Sequence, residues 1–111
     1  MADMIGNLEA MLAAGQDNAL LRYTLGTHYL KTGQVQRAVD HLREAVRMDP
    51  VYSAAWKVYG KALAAADDLA GARDAYVKGI EAATNRGDMQ AVREMQVFLK
   101  RVQKQLSGQR S

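Results

Sequence analysis

Apolar residues recur along this chain every three or four positions, and no stretch alternates with the two-residue rhythm of a strand. Ile5, Leu8, Met11 and Leu12 mark one face of a first helix, which Gly15 can end as a C-cap, with Asp17 or Asn18 opening the next. The second helix, about Ala19 to Lys31, buries Leu21, Leu25, Tyr29 and part of His28, and stops where Gly33 supplies a left-handed turn. A third, about Gln34 to Met48, buries Ala38, Leu42, Ala45 and Val46. Pro50 closes it, since Asp49 before a proline is pushed out of the helical region. Ser53 reads as the N-cap of a fourth helix, Ala54 to Ala66. Asp67-Asp68 repeats the break at Gly33, and a fifth helix from Leu69 to about Ala83 buries Ala72, Tyr76 and Ile80. Gly87-Asp88 separates it from a sixth, whose apolar stripe is Val92, Met95, Leu99, Val102 and Leu106.

Two stretches of this pattern align at an offset of 34 residues: Leu25-Gly26, Tyr29, Ala38, Leu42, Ala45 and Pro50 against Tyr59-Gly60, Leu63, Ala72, Tyr76, Gly79 and Thr84. A period of that length belongs to helical hairpin repeats. Gly26 and Gly60 fall mid-helix, where each costs up to about 1 kcal/mol relative to Ala, and close approach of a neighbouring helix supplies the reason for them. Ala38 with Ala72, and Ala45 with Gly79, keep the second helix of each pair thin against the knobs Leu25, Tyr29, Tyr59 and Leu63. Identity between the units is limited to Gly26/Gly60, Ala38/Ala72 and Asp40/Asp74, so the repeat is one of residue class at fixed positions.

This placement of large, small and proline residues resembles the tetratricopeptide repeat over two full units, residues 19–52 and 53–86. Two positions depart from the family pattern. Arg22 stands where the family usually has Trp, which Trp56 does supply, and Thr84 replaces the closing proline. The resemblance implies an all-α, right-handed alpha-alpha superhelix of about six helices in a single domain, 1–111. Its expected parts are an N-terminal capping helix over 1–16, the two repeats, and a C-terminal capping helix over 88–107. Met4, Leu8 and Met11 lie 34 residues before Ala38, Leu42 and Ala45, so the first helix reads as the second half of a degenerate repeat. The last helix occupies the place of a third repeat's first half. It has no glycine or turn at Lys100-Arg101-Val102-Gln103, and is expected to run on as a cap.

In this family the first helix of each pair lines a concave groove that holds a peptide. By that resemblance the groove presents Leu20, Tyr23, Thr24, Thr27, Leu30 and Lys31 from the first unit, and Ala54, Lys57, Val58, Lys61 and Ala64 from the second. The last helix adds Asp88, Ala91, Val92, Met95 and Phe98, with core packing the competing reading for Met95 and Phe98. Lys57 and Lys61, four residues apart, share a helix face and repel by roughly a few tenths of a kcal/mol. A facing anion would explain them, and so would simple solvation of the surface. The family's carboxylate clamp for chaperone C-termini is not expected. It would need Lys and Asn at Tyr23 and Thr27, Asn at Val58, and Lys and Arg at Asp88 and Val92.

Composition narrows the function classes. With 111 residues, 49% of them hydrophobic, and one Pro, the chain has the material for a packed core. Zero cysteines exclude disulfides and thiolate chemistry, and nothing marks an oxidising compartment. The start carries Asp3 and Glu9 and no Lys or Arg before Arg22, unlike a secretory signal, so a cytoplasmic location is the default expectation. No apolar run approaches the roughly 18 residues of a membrane span. Gly60-Lys61 lacks the remainder of a phosphate loop, and His28 and His41 have no ligand spacing. Neither an enzyme, a metal site nor a cofactor is indicated.

The net charge of +3 is interleaved in sign, except for Lys100, Arg101, Lys104 and Arg110 at the C-terminal end, a run best read as a solvated helix end. The leading expectation is a protein-interaction module that holds an extended or helical peptide segment, acidic where it meets the two lysines. The main alternative is a homodimeric structural protein seamed by Val92, Met95, Leu99, Val102 and Leu106. A nucleic-acid binder using the basic tail is the weakest of the three.

Overall fold

The computed structural model describes residues 4–109; Asp3 and Arg110, used in the charge arguments above, lie outside them. Six helices follow one another: α1 (Met4–Ala13), α2 (Ala19–Lys31), α3 (Val35–Met48), α4 (Ser53–Ala65), α5 (Leu69–Arg86) and α6 (Met89–Gln109). No strand occurs among the described residues.

Local chemistry sets most of the breaks. Asn18 opens α2 by accepting the Leu21 N–H at 2.8 Å, while the neighbouring Asp17 pairs with Arg22 instead. Asp68 caps α5 by accepting the Gly71 N–H at 2.9 Å. Gly15, Gly33 and Gly87 carry the chain through the left-handed region, at φ of 90°, 82° and 76°. One period after Gly33 the same conformation falls to Asp67, at φ 65°.

Two boundaries differ from the sequence reading. Ser53 is the first residue of α4 and buried, not its cap. Tyr52 holds the cap position without a side-chain hydrogen bond, and Ala66 lies just past the helix end. α5 runs three residues beyond Ala83, because Thr84 stands where the first repeat has Pro50. Its hydroxyl folds back onto the Ile80 carbonyl at 2.7 Å, so the helix continues to the glycine at position 87.

The helices pack as successive hairpins, α2 on α3, α4 on α5, α5 on α6, with α3 against α4 joining the units. A Cβ added at Gly26 would lie 2.4 Å from Leu42 Cγ, and one at Gly60 would lie 2.4 Å from Tyr76 Cε1. The mid-helix glycines therefore mark the closest approach within each hairpin. Leu25, Leu42, Ala38, Ala72 and Tyr76 are buried there, joined by Val39, while Ile80 is only half-buried.

The ends are built differently. α6 continues for 21 residues, and Val92, Met95 and Val102 are buried with Leu99 and Leu106 partly so. The stripe offered as a homodimer seam thus faces this chain's own core. α1 buries no residue fully. Ile5, Leu8 and Leu12 pack against the core, but Met4 and Met11 are 54% and 41% exposed, so the period holds there for Leu8 alone.

Candidate functional site

α4 touches α2 on one side and α6 on the other, so the first helices of successive units lie side by side and form one surface. From α2 it presents Leu20, 63% exposed, then Thr24, Thr27 and the exposed Lys31. The Thr24 and Thr27 hydroxyls donate to the carbonyls of Leu20 and Tyr23, each at 2.8 Å, which leaves their methyl groups as the contact surface. The Tyr23 ring is half-buried, 5.1 Å from that of Tyr52.

Across α4 and α6 two stripes with helical spacing oppose each other: Ala54, Lys57, Lys61 and Ala64 against Ala91, Glu94, Phe98, Arg101 and Gln105. Lys57 Nζ donates to Glu94 Oε1 at 3.2 Å, and Lys61 Nζ lies 5.0 Å from the Phe98 ring centre. The two lysines therefore have partners within the chain. The anion facing Lys57 is Glu94, and the open face of Lys61 is an aromatic ring.

Three expected groove residues lie elsewhere. Met95 is fully buried, its sulfur lodged where a side chain at Gly79 would stand, and Val92 and Val58 are buried beside it in the core. Asp88 accepts the Ala91 N–H at 3.1 Å and so caps the start of α6. Glu94, Arg101 and Gln105 also belong to the groove, although the resemblance did not name them. Their i, i+3, i+4 spacing from Ala91 and Phe98 was the available signal.

The pair Lys57–Glu94 divides the α4–α6 surface. On the side of the helix starts lies a small polar hollow of about 240 Å³ beside Ser53, Ala54 and Asp88. On the other side a cleft of about 300 Å³ is bounded by Lys61, Ala64, Tyr76, Phe98, Arg101 and Gln105. Tyr76 is buried and its ring meets Phe98 at 5.8 Å. Burial pushes its hydroxyl up to about 12, against a smaller lowering by Arg101.

A second polar cluster ties α1 to the repeats. Tyr29 donates its hydroxyl to Glu9 at 2.6 Å, which pushes the phenol up, and stacks on His41 at 5.5 Å. Arg22, at the position expected for Trp, holds Asp17 through two hydrogen bonds of 2.8 and 2.9 Å and reaches His41 Nδ1 at 3.2 Å. The guanidinium keeps the Asp17 carboxyl below the usual range, and burial pushes His41 down. A charged residue can replace Trp here because its charge is fully engaged.

Among the described residues no cluster of His, Cys, Asp or Glu could hold a metal ion, and no helix is long and apolar enough to cross a membrane. A model of the tetratricopeptide repeat matches residues 23–88. TPR repeat-containing protein PA0015 of Pseudomonas aeruginosa is 54% identical over 99 residues, 89% of this chain and 94% of that protein. The heat-shock protein cognate co-chaperone sgt12 of Aspergillus fumigatus is 34% identical over 72% of this chain, which spans only 24% of that larger protein. Among solved structures, protein BPP2914 of Bordetella parapertussis superposes with a TM-score of 0.78 at 51% identity, covering 92% of this chain and 89% of its own. The Sgt2 TPR domain of Aspergillus fumigatus does so with a TM-score of 0.81 at 29% identity, covering 96% and 69%. The helix order, the glycine contacts at one-period spacing and these likenesses agree: the chain belongs to the tetratricopeptide-repeat family and has its all-α, right-handed superhelical fold.

Proposed function

We propose that this chain is a non-enzymatic, cytoplasmic interaction module that holds an extended or helical segment of another protein across α2, α4 and α6. The observation that carries this reading is the continuous surface of three parallel first helices. Apolar groups, the exposed Leu20 and the half-buried rings of Tyr23 and Phe98, alternate on it with the cations Lys31, Lys61 and Arg101. Such a surface suits apolar anchors that hold affinity, with charge setting register and association rate. The relative named as a heat-shock protein cognate co-chaperone lends further support. The dimer reading has less behind it, since Val92, Met95 and Val102 of its α6 stripe are buried within this chain.

The test is capture from the native cell with the tagged chain, repeated with the double variant Leu20→Asp and Tyr23→Asp and with Val97→Asp on the outer face of α6. The groove variant should lose the captured protein at unchanged helical content, and the outer-face variant should keep it. A captured protein retained by the first and lost by the second would overturn the reading.

A further inference from the structure

We propose that Lys61, Arg101 and the Tyr76 hydroxyl form an anion-recognition site that reads a side-chain carboxylate, Asp or Glu, on the partner segment, with Phe98 receiving the apolar residue beside it. The proposal rests on the peptide-binding reading of the groove and names what one end of it recognises.

Two cations share one ring: Lys61 Nζ lies 5.0 Å and Arg101 Cζ 5.8 Å from the centre of Phe98. Neither is ion-paired among the described residues, and Glu94, the acidic member of the same α6 stripe, is held by Lys57. Two like charges around one aromatic ring leave a positive potential that no carboxylate among the described residues pairs with. The third donor is Tyr76. Its ring is buried, yet its hydroxyl has no hydrogen-bond partner among the described residues and is not sealed off, because it borders the same cleft. Burial pushes its pKa up to about 12, so the phenol stays protonated and has a proton to donate.

An ammonium, a guanidinium and a hydroxyl thus line one opening of about 300 Å³ that offers no acidic group. Their natural complement is a group that accepts several hydrogen bonds and carries negative charge. The apolar wall of Phe98, Ala64 and Val102 fits a carboxylate embedded in a peptide beside an apolar side chain better than a free ion. Lys57 is the weaker reader, because its ammonium already meets Glu94 whereas Lys61 and Arg101 meet no carboxylate among the described residues. None of Tyr23, Thr27, Val58, Asp88 and Val92, the positions at which a clamp for chaperone C-termini would need its polar side chains, lines this cleft.

The experiment is an amide-resolved NMR titration of the full chain with three probes: acetyl-Ala-Leu-Glu-Ala-amide, its Gln counterpart, and inorganic phosphate. The Glu peptide should shift the signals of Lys61, Phe98 and Arg101 and bind about fivefold more tightly than the Gln peptide. Lys61→Gln and Arg101→Gln should each remove most of that difference, Tyr76→Phe about half of it, and Lys57→Gln none, with helical content checked for each variant. Equal affinity for the Glu and Gln peptides would overturn the site while leaving the groove reading to the capture experiment. An equal loss on Lys57→Gln, or phosphate binding more tightly than the Glu peptide, would overturn the assignment of donors or of ligand. Absence of binding by any probe would overturn it as well, and only loss of groove dependence in the capture experiment would take the wider reading with it.

Discussion

Lys57 and Glu94, 37 residues apart in sequence, meet at 3.2 Å and tie α4 to α6 across the middle of the groove. Both side chains keep solvent contact, so the pair gains modestly: a double-mutant cycle with Lys57→Gln and Glu94→Gln should give a coupling of about 0.5 kcal/mol in urea unfolding, shrinking as salt is added. A coupling indistinguishable from zero at low salt would mean that the two groups do not meet in solution. Charge reversal at Lys57 would set two carboxylates face to face, so glutamine is the cleaner probe of this surface.

That pair also shows where sequence reasoning stops. The 34-residue period, the glycines and the turn residues are local or repeat at fixed intervals, and they were legible as six helices in hairpins. The partner of a surface charge is set by which faces two helices turn to each other, and it is not local. Lys57 and Lys61 looked unpaired because Glu94 and Phe98 lie on another helix. Arg101 belongs in sequence to a basic run with Lys100 and Lys104, although helical spacing puts it with Phe98 and Glu94. By sequence Met95 fits groove and core alike, because Val92, Met95 and Leu99 lie one helical step from the groove stripe. Only the packing against Gly79 decides which way it turns.

The mid-helix glycines give the strongest stability prediction. Gly60→Ala would press a methyl group onto the Tyr76 ring and Gly26→Ala one onto the Leu42 side chain. Overpacking of this kind costs about 1–3 kcal/mol, more than the helix propensity that Ala regains. Both variants should lower the urea midpoint, Gly60→Ala by more, since a ring yields less readily than a leucine branch. An unchanged or raised midpoint for Gly60→Ala would show that the hairpins are looser than these contacts require.

At Asp67 the opposite outcome is expected. Its φ of 65° is a conformation that costs most residues about 1 kcal/mol and glycine little, and one period earlier the chain uses Gly33 there. Asp67→Gly should raise the stability by roughly several tenths of a kcal/mol or more, and Asp67→Val should lower it. Thermal unfolding of the two variants beside the parent checks the sign.

His41 should make stability depend on pH near neutrality. Glu9 faces it from α1, Arg22 and Tyr29 from α2, Asp17 from the turn before α2, and Asp40 from α3. Arg22 donates to Nδ1, so the neutral ring suits the site, and burial, against the opposing pull of Glu9 and with help from the guanidinium, holds the folded value below the ordinary 6.5. The folded state therefore binds fewer protons than the unfolded chain between that lowered value and 6.5. This contribution is complete above 6.5 and is lost as pH falls through the window. The urea midpoint of the parent should drop more between about pH 7.5 and 5.5 than that of His41→Gln, because only the parent titrates there. Parallel profiles would show that His41 is no less basic folded than unfolded.

α6 should be required for folding. It covers the face of α4 and α5 around Leu63, Tyr76 and Gly79 with Val92, Met95 and Val102 fully buried, and with Phe98, Leu99 and Leu106 partly so. Burying three or four such side chains at roughly 1.5–3 kcal/mol each amounts to much of the stability of a small domain. A chain ended at Gly87 would expose that face, and two repeats are fewer than the roughly three units that usually make a stable stack. It should be unfolded or aggregated by circular dichroism and light scattering. Ending the chain at Leu106 instead keeps every buried residue of α6 and should cost little. A truncation at Gly87 that stayed monomeric and unfolded cooperatively would show that the two hairpins hold themselves together, and α6 would then be a ligand-binding addition rather than a cap.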